Sequence, residues 1–377
     1  MLLDAGQGSE SKAPAARQNR KRFLTFVVVV VVAVVVIVGL FAVALSQGGV
    51  AGCTSTWSCA AGYPIQNAGA YGVAAEQCVT NSTYLFCVGG LDAIGEPRSE
   101  VYSAAIVPTG NITSWTQNAN SYPDTISGES CITSSGYIYC VGGSYDAGGD
   151  DVASSYYAQL LGGGKVGMWF YTTPYPVPTD SQSCVTLASY IYCVGGNNET
   201  DGTENTVGPS SSNWYAPLSE TGIGTWKQTT TYPTNAYLPS CFIAGSYIYC
   251  VGGVDSGDNP IGNAYYASLS SSGVGQWVQT TSYLLPSTGP SCAASRGYVY
   301  CVGGATTGGQ TPSYSNAVYM APVSSAGIGT WTAGPNFPIG VATSCAIGGG
   351  RMYCVGGFDG SSKGENNAVV YASLSSL

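Results

Sequence analysis

The sequence predicts an all-β fold: a six-bladed β-propeller of four-stranded antiparallel blades, preceded by one N-terminal transmembrane helix. Three observations carry this expectation. The phrase "YIYCVGG" stands at 137–143, 190–196 and 247–253, with looser copies ending at Gly90 ("YLFCVGG"), Gly304 ("YVYCVGG") and Gly357 ("RMYCVGG"). Twelve of the 14 cysteines fall into pairs nine residues apart. One uncharged run of 23 residues lies near the N-terminus.

The run is "FLTFVVVVVVAVVVIVGLFAVAL", residues 23–45. About 20 apolar residues suffice to cross a bilayer as a helix. A valine-rich run also suits a buried strand, but this one is far too long for that. Arg17, Arg20, Lys21 and Arg22 precede it, and the positive-inside bias keeps that end in the cytoplasm. Residues 1–22 are then a basic cytoplasmic tail, 23–45 a signal-anchor helix in contact with membrane lipid, 46–52 a linker and 53–377 the propeller. The alternative is a cleaved signal peptide with Ala42–Ala44 as a small-x-small site, although the run exceeds the usual apolar length. Either way the propeller lies outside the cytoplasm.

The cysteine pairs are Cys78/Cys87, Cys131/Cys140, Cys184/Cys193, Cys241/Cys250, Cys292/Cys301 and Cys345/Cys354, and their second members recur after 53, 53, 57, 51 and 53 residues. After each double glycine comes a tyrosine (Tyr102, Tyr157, Tyr215, Tyr266, Tyr319, Tyr371), then in five units a tryptophan (Trp115, Trp169, Trp226, Trp277, Trp331). An aromatic residue and a proline usually follow, as in Tyr232-Pro233. Each unit holds four short β-rich runs separated by turn-formers, as in "SCVTLA", "YIYCVGG", "NWYAPL" and "GTWKQT". A period near 50 with four strands per unit is the signature of a propeller, whose blades close in a ring and leave few open edges.

The nine-residue spacing has a geometric reason. If "CVTLASYIYC" folds as a hairpin with a two-residue turn at Ala188-Ser189, Cys184 faces Cys193 at a non-hydrogen-bonded pair, Cα atoms about 4.5 Å apart. A four-residue turn would make the pair a hydrogen-bonded one at about 5.5 Å, and both distances suit a disulfide. Six intrablade disulfides follow, against the alternative of free buried cysteines. The absence of histidine and of any CxxC pair makes zinc sites poor candidates.

The sixth unit lacks its tryptophan, because the chain stops six residues after Tyr371. The missing piece lies at the front: Trp57 precedes Tyr63-Pro64 at the spacing that separates Trp226 from Tyr232-Pro233. The first strand is therefore expected to complete the last blade. Cys53 and Cys59, outside the repeat, are expected to bridge each other around Trp57.

Double glycine, tyrosine and tryptophan on a period near 50 resemble the kelch repeat over residues 53–377. The resemblance implies a propeller whose loops bind partners, often proteins or glycans. Some kelch-like propellers belong to enzymes, the copper-dependent galactose oxidase type among them. Those enzymes use histidine ligands, and this chain has none. Paired cysteines and a membrane segment also set it apart from intracellular kelch proteins.

Composition excludes several functions. A net charge of −9 argues against a nucleic-acid partner. Without histidine there is no serine or cysteine triad. Only Arg98, Lys165, Lys227, Arg296, Arg351 and Lys363 follow the apolar run, too few for an arginine cluster of the sialidase kind. The double glycines lack the GK[ST] of a phosphate loop and read instead as strand ends needing open backbone angles. The tyrosines and tryptophans read as packing between blades, with a sugar-stacking surface as the alternative.

Charge placement is the remaining signal. In a propeller the second-to-third strand loops and the blade-to-blade loops share one face. All acidic residues after the apolar run except Glu220 map to those loops, including Glu76, Asp124, Glu129 and Asp180 between blades. One reading is a solvated rim. The sharper one is a ligand-binding face carried by Asp92, Asp146, Asp201, Asp255 and Asp359. No cofactor is required; a divalent cation such as calcium is the one such acids would suit. Asn81, Asn111 and Asn198 head glycosylation triplets. Residues 46–52 reach at most ~25 Å, so the propeller is expected near the bilayer with the acidic face outward. The functional expectation is a membrane-tethered extracellular binding or adhesion module for a glycan, cation or protein. The alternatives are a carbohydrate-active hydrolase or lyase, whose mark would be a deep pocket with perturbed carboxylates, and a structural surface-assembly protein.

Overall fold

The computed structural model describes residues 53–67, 70–145, 151–198, 208–307, 312–359 and 366–377. The expected membrane helix at 23–45 lies outside them. Among the described residues no helix is long and apolar enough to cross a membrane, and the only helical turn is Gly162–Gly164.

The described residues form six antiparallel blades. Blade 3 is typical: inner strand Ser183–Leu187, second strand Tyr190–Val194, third strand Asn213–Ser219. Its outer strand is two short ladders, Gly222–Ile223 and Lys227–Gln228, both on the third strand. The inner strands of neighbouring blades lie side by side, and Ala342–Gly348 of blade 6 returns to Gln77–Thr80 of blade 1, closing the ring.

The hairpin register is the expected one. Leu187 faces Tyr190 across the two-residue turn Ala188-Ser189, and Cys184 faces Cys193. Ala188 takes φ +52°, and Ser135-Gly136, Arg296-Gly297 and Gly349-Gly350 are likewise left-handed, as two-residue hairpin turns require.

All six intrablade disulfides are formed: Cys78–Cys87, Cys131–Cys140, Cys184–Cys193, Cys241–Cys250, Cys292–Cys301 and Cys345–Cys354, with Cα atoms 4.0–4.1 Å apart. That is the close, non-hydrogen-bonded class of facing pair. Cys53 and Cys59 are bridged as well. The second-strand members Cys87, Cys140, Cys193, Cys250, Cys301 and Cys354 are buried completely or within 1% of it. Each is flanked on its strand by buried apolar residues, as Cys250 is by Tyr249 and Val251. These six are therefore staples inside the blades and, unlike loop residues, cannot take part in a ligand site.

Closure by the N-terminus holds too. Ser58 pairs with Tyr371 and Cys59 with Val370, giving blade 6 its fourth strand. Each outer-strand tryptophan donates its indole N–H to a carbonyl of the preceding blade: Trp115 to Ala61, Trp169 to Asn120, Trp226 to Thr173, Trp277 to Thr230, Trp331 to Thr281. Trp57 does the same to Pro335 at 3.1 Å. Each tryptophan also meets an aromatic ring edge-on, as Trp226 meets Tyr175, and Phe337 fills that role for Trp57. The core is thus six seams. Each buried cluster joins two neighbouring blades, as Val302 and Val318 of blade 5 join Met352 and Val370 of blade 6.

One expectation is corrected. The six repeat tyrosines are not equivalent positions. Tyr157, Tyr215, Tyr266 and Tyr371 face the middle aromatic of the second strand, whereas Tyr102 and Tyr319 face the cysteine, Cys87 and Cys301 respectively. A shift of one residue moves a side chain to the other face of a strand. So Tyr157, Tyr215, Tyr266 and Tyr371 stack on Tyr139, Tyr192, Tyr249 and Tyr353. Tyr102 and Tyr319 instead meet Tyr63 and Tyr283 edge-on in the seams. The true counterparts of Tyr102 are Tyr156, Trp214, Tyr265, Tyr319 and Val370, which face Cys140, Cys193, Cys250, Cys301 and Cys354.

Candidate functional site: the mouth of the central channel

The inner strands line a central channel, and the chain enters each of them from a blade-to-blade loop. The residue before each inner cysteine is Ser130, Ser183, Ser240, Ser291 or Ser344 in five blades and Gln77 in the first. Each of those serine hydroxyls accepts the amide N–H of the next blade's cysteine at 2.8–3.0 Å: Ser130 from Cys184, Ser183 from Cys241, Ser240 from Cys292, Ser291 from Cys345, Ser344 from Cys78. Gln77 makes no such bond to Cys131. The signal for this girdle was the dipeptide Ser-Cys, present in five units and absent from one.

The double glycines abut the loop entering the next blade. The second glycine donates its N–H to that loop's carbonyl: Gly90 to Ile126, Gly143 to Thr179, Gly196 to Ala236, Gly253 to Ser287, Gly304 to Val341. The first glycine has a positive φ, and a Cβ there would meet the same carbonyl, at 2.4 Å for Gly142 and 2.0 Å for Gly303. Glycine is therefore required by close approach as well as by φ.

In five blades the residue two before the inner cysteine fills the space beside that glycine, whereas Thr343 of blade 6 bonds the Val355 carbonyl of its own blade. Around the ring the residues at this position are Glu76, Glu129, Gln182, Pro239, Pro290 and Thr343. Gln182, 5% exposed, donates from Nε2 to the Val141 carbonyl at 2.6 Å. Pro239 and Pro290 sit against Gly195 and Gly252. Glu76 and Glu129 are each 1% exposed, and among the described residues no donor of another residue pairs with any of their four carboxylate oxygens. Burial, opposed in part by its own backbone N–H, raises the Glu129 carboxyl to about 8. Burial also drives Glu76 well above the carboxylate range; its own backbone N–H opposes this, and the nearby Glu129 charge adds to it. Loop placement alone put both on a solvated acidic face; the structure instead buries them in the seams.

Above the girdle opens a cavity of about 610 Å³, lined by all six blades. Among the described residues no lysine or arginine lines it. One arc carries Tyr237, Tyr314 and Phe358, the last two stacked with centroids 6.4 Å apart. Tyr237 Oη reaches Asp258 at 3.5 Å. The opposite arc carries the half-buried Gln77, Ser181 and Ser183, with the buried side chains of the two glutamates and Gln182 in the wall behind them.

The five aspartates of the expected binding face fare differently. Asp92 is fully buried: its Oδ1 accepts from Ile94 and Glu96 amides, and its Oδ2 lies 3.5 Å from Arg98. Arg98 also pairs with Glu100. Asp92 therefore builds its own loop and presents no carboxylate to solvent. Asp255 repeats that loop in blade 4. Its Oδ1 accepts from the Asn259 and Gly257 amides, which hold its carboxyl below the usual range, but Asp255 is partly open to solvent. Asp359 is half-buried beside Phe358. Asp146 and Asp201 lie outside the described residues. Asn81 sits at the blade 1 hairpin turn, accepting from the amides of Thr83 and Tyr84. Asn111 and Asn198 are half-buried. Among the described residues no three metal-ligating side chains gather as a metal site.

No family model matches the sequence, and no curated protein matches it. Among solved structures, one reported as "Structure of YjhT" aligns with a TM-score of 0.66 at 12% identity, covering 83% of this chain and 96% of that one. A likeness at that identity shows the propeller fold alone. The fold and the seven disulfides define a class: a disulfide-stapled six-bladed propeller, consistent with an extracellular module.

Proposed function

We propose that the chain is an extracytoplasmic binding module of kelch-like type that takes a neutral glycan at the mouth of its central channel. The carrying observation is the cavity of about 610 Å³, with aromatic faces on one arc, polar groups on the other and no basic residue among the described residues of its lining. Aromatic faces pack against the C–H faces of a sugar ring, while backbone and hydroxyl groups meet its hydroxyls. A lining of this kind offers an acidic ligand no counter-charge. Asp255 and Asp359, both partly open to solvent, are proposed to extend the site beyond the cavity. Disulfides in every blade support display in an oxidising compartment, and residues 23–45 are proposed as the membrane tether.

The test is a glycan array probed with the intact protein and with Tyr314→Ala. Binding of uncharged glycans that drops at least tenfold in the variant supports the reading. A ligand mapped to the hairpin face near Arg296 and Arg351 contradicts it.

A second reading, a hydrolase or lyase, is favoured by one observation: the pocket borders two carboxyls raised by burial, a mark of acid–base sites. Their exposure of only 1% places them behind the cavity wall. Turnover of any array-positive glycan, abolished in Glu129→Gln while binding persists, would favour the enzyme.

A further inference from the structure

Glu129 and Glu76 occupy the slot in which Gln182 ties blade 3 to blade 2. The alignment is residue for residue. Gln182 stands two before Cys184, and its Nε2 lies 2.6 Å from where a Cβ on Gly142 would be. Glu129 stands two before Cys131, with Oε1 3.0 Å from the same point on Gly89. Glu76 stands two before Cys78, with Oε1 3.1 Å from that point on Gly356. The residues preceding these glycines, Val141, Val88 and Val355, lie at the ends of the second-strand ladders. Gln182 fills the slot with a donor aimed at the Val141 carbonyl. An ionised carboxylate is acceptor-only, whereas a protonated one offers an O–H donor.

We propose that Glu129, and with it Glu76, is a protonated latch between blades, the Glu129 carboxyl donating its proton to the Val88 carbonyl as the Gln182 amide donates to Val141. The propeller is then held most tightly in acid at the seams on either side of blade 1 and loosens as the latches ionise.

The surroundings fit a neutral carboxyl. Both side chains are buried, and among the described residues no other residue's N–H or O–H pairs with their oxygens. An unpaired buried charge is far costlier than a buried neutral acid. Among the described residues, the ionisable groups that couple to Glu76 are Glu129 and Tyr63, and those that couple to Glu129 are Glu76, Tyr63 and Tyr122. All are acids or phenols. The nearby cation Arg98 is held by Glu100 and Asp92. Val355 already accepts from the Thr343 hydroxyl at 2.7 Å, so Glu129 is the stronger latch.

The sign follows from linkage. A carboxyl raised on folding binds more protons in the folded state. Its contribution is fully present below the unfolded value near 4.5, declines as pH rises, and is gone above the folded value of about 8. For Glu129 alone, the unfolding constant rises roughly several hundredfold between about pH 5 and 8.

The experiment follows thermal and denaturant unfolding of the intact protein in mild detergent from about pH 5 to 8, for wild type, Glu129→Gln and Glu76→Gln, with infrared spectra of the wild type. Wild type should lose stability across this range. Glu129→Gln, which keeps a donor at every pH, should remove about half of the slope and exceed wild type at pH 8, and Glu76→Gln should remove a further part. The wild-type spectrum should show a protonated-carboxyl C=O band at neutral pH. A wild-type stability flat across the range, a Gln variant with the wild-type slope, or no protonated-carboxyl band would each overturn the latch. The infrared band decides the matter even where a variant fails to fold.

Discussion

Two stretches of the ring do one job by different chemistry. Where blade 4 meets blades 3 and 5, Pro239 and Pro290 fill the slot beside the double glycine with apolar rings. Where blade 1 meets blades 6 and 2, Glu76 and Glu129 fill it with carboxyls. The backbone is the same in both stretches: Gly90 donates to Ile126 at 2.8 Å, and Gly253 to Ser287 at 3.1 Å. The proline slots hold no group that titrates. The glutamate seams are held by groups whose protonation decides whether they attract or repel their surroundings. A repeat thus keeps its geometry while single positions set local chemistry.

The largest expected effect concerns the seam that also closes the ring. Trp57 is fully buried and bonded to Pro335, so Trp57→Ala should cost about 3–5 kcal/mol. The half-buried Trp277 should cost clearly less on the same change. Equal losses in denaturant titrations would deny the N-terminal strand its closing role. Next, replacing Cys131 and Cys140 together by serine should cost roughly 2–3 kcal/mol in a chain-entropy estimate. Peptide mapping under non-reducing conditions should find no bridge between blades.

A third change moves the chemistry from one stretch to the other. Pro239→Glu should make its seam pH-sensitive, steepening the loss of stability between about pH 5 and 8 relative to wild type. An unchanged slope would show that the slot itself does not protonate its occupant. The smallest effect repairs a gap. Gln77 is the one position of the girdle without a serine bridge, and Gln77→Ser should gain about 0.5–1 kcal/mol from a bond to the Cys131 amide.

What the sequence disclosed was what repeats. Nine-residue cysteine spacing gave the hairpin register, and the missing sixth tryptophan pointed to Trp57. The tyrosine offset was within reach as well: measured from Tyr102, Tyr156, Trp214, Tyr265 and Tyr319, the distance to the tryptophan is 12 or 13 residues, against 11 to 13 for the tyrosines aligned at first. The site was less legible. Loop position placed Asp92, Glu76 and Glu129 on one face, but burial depends on what the neighbouring blade brings. Asp92 turned inward on Arg98. The two glutamates entered slots that exist only because the double glycine of another blade, about 40 residues or a whole ring away, leaves space there. No local pattern reports such a slot.

The most direct test of the contrast between the two kinds of seam is native-state hydrogen exchange at the Gly90 and Gly253 amides, corrected for intrinsic base catalysis, between about pH 5 and 8. The latch account predicts that protection at Gly90 falls by an order of magnitude or more as pH rises, while protection at Gly253 stays level. Parallel behaviour of the two amides would contradict it.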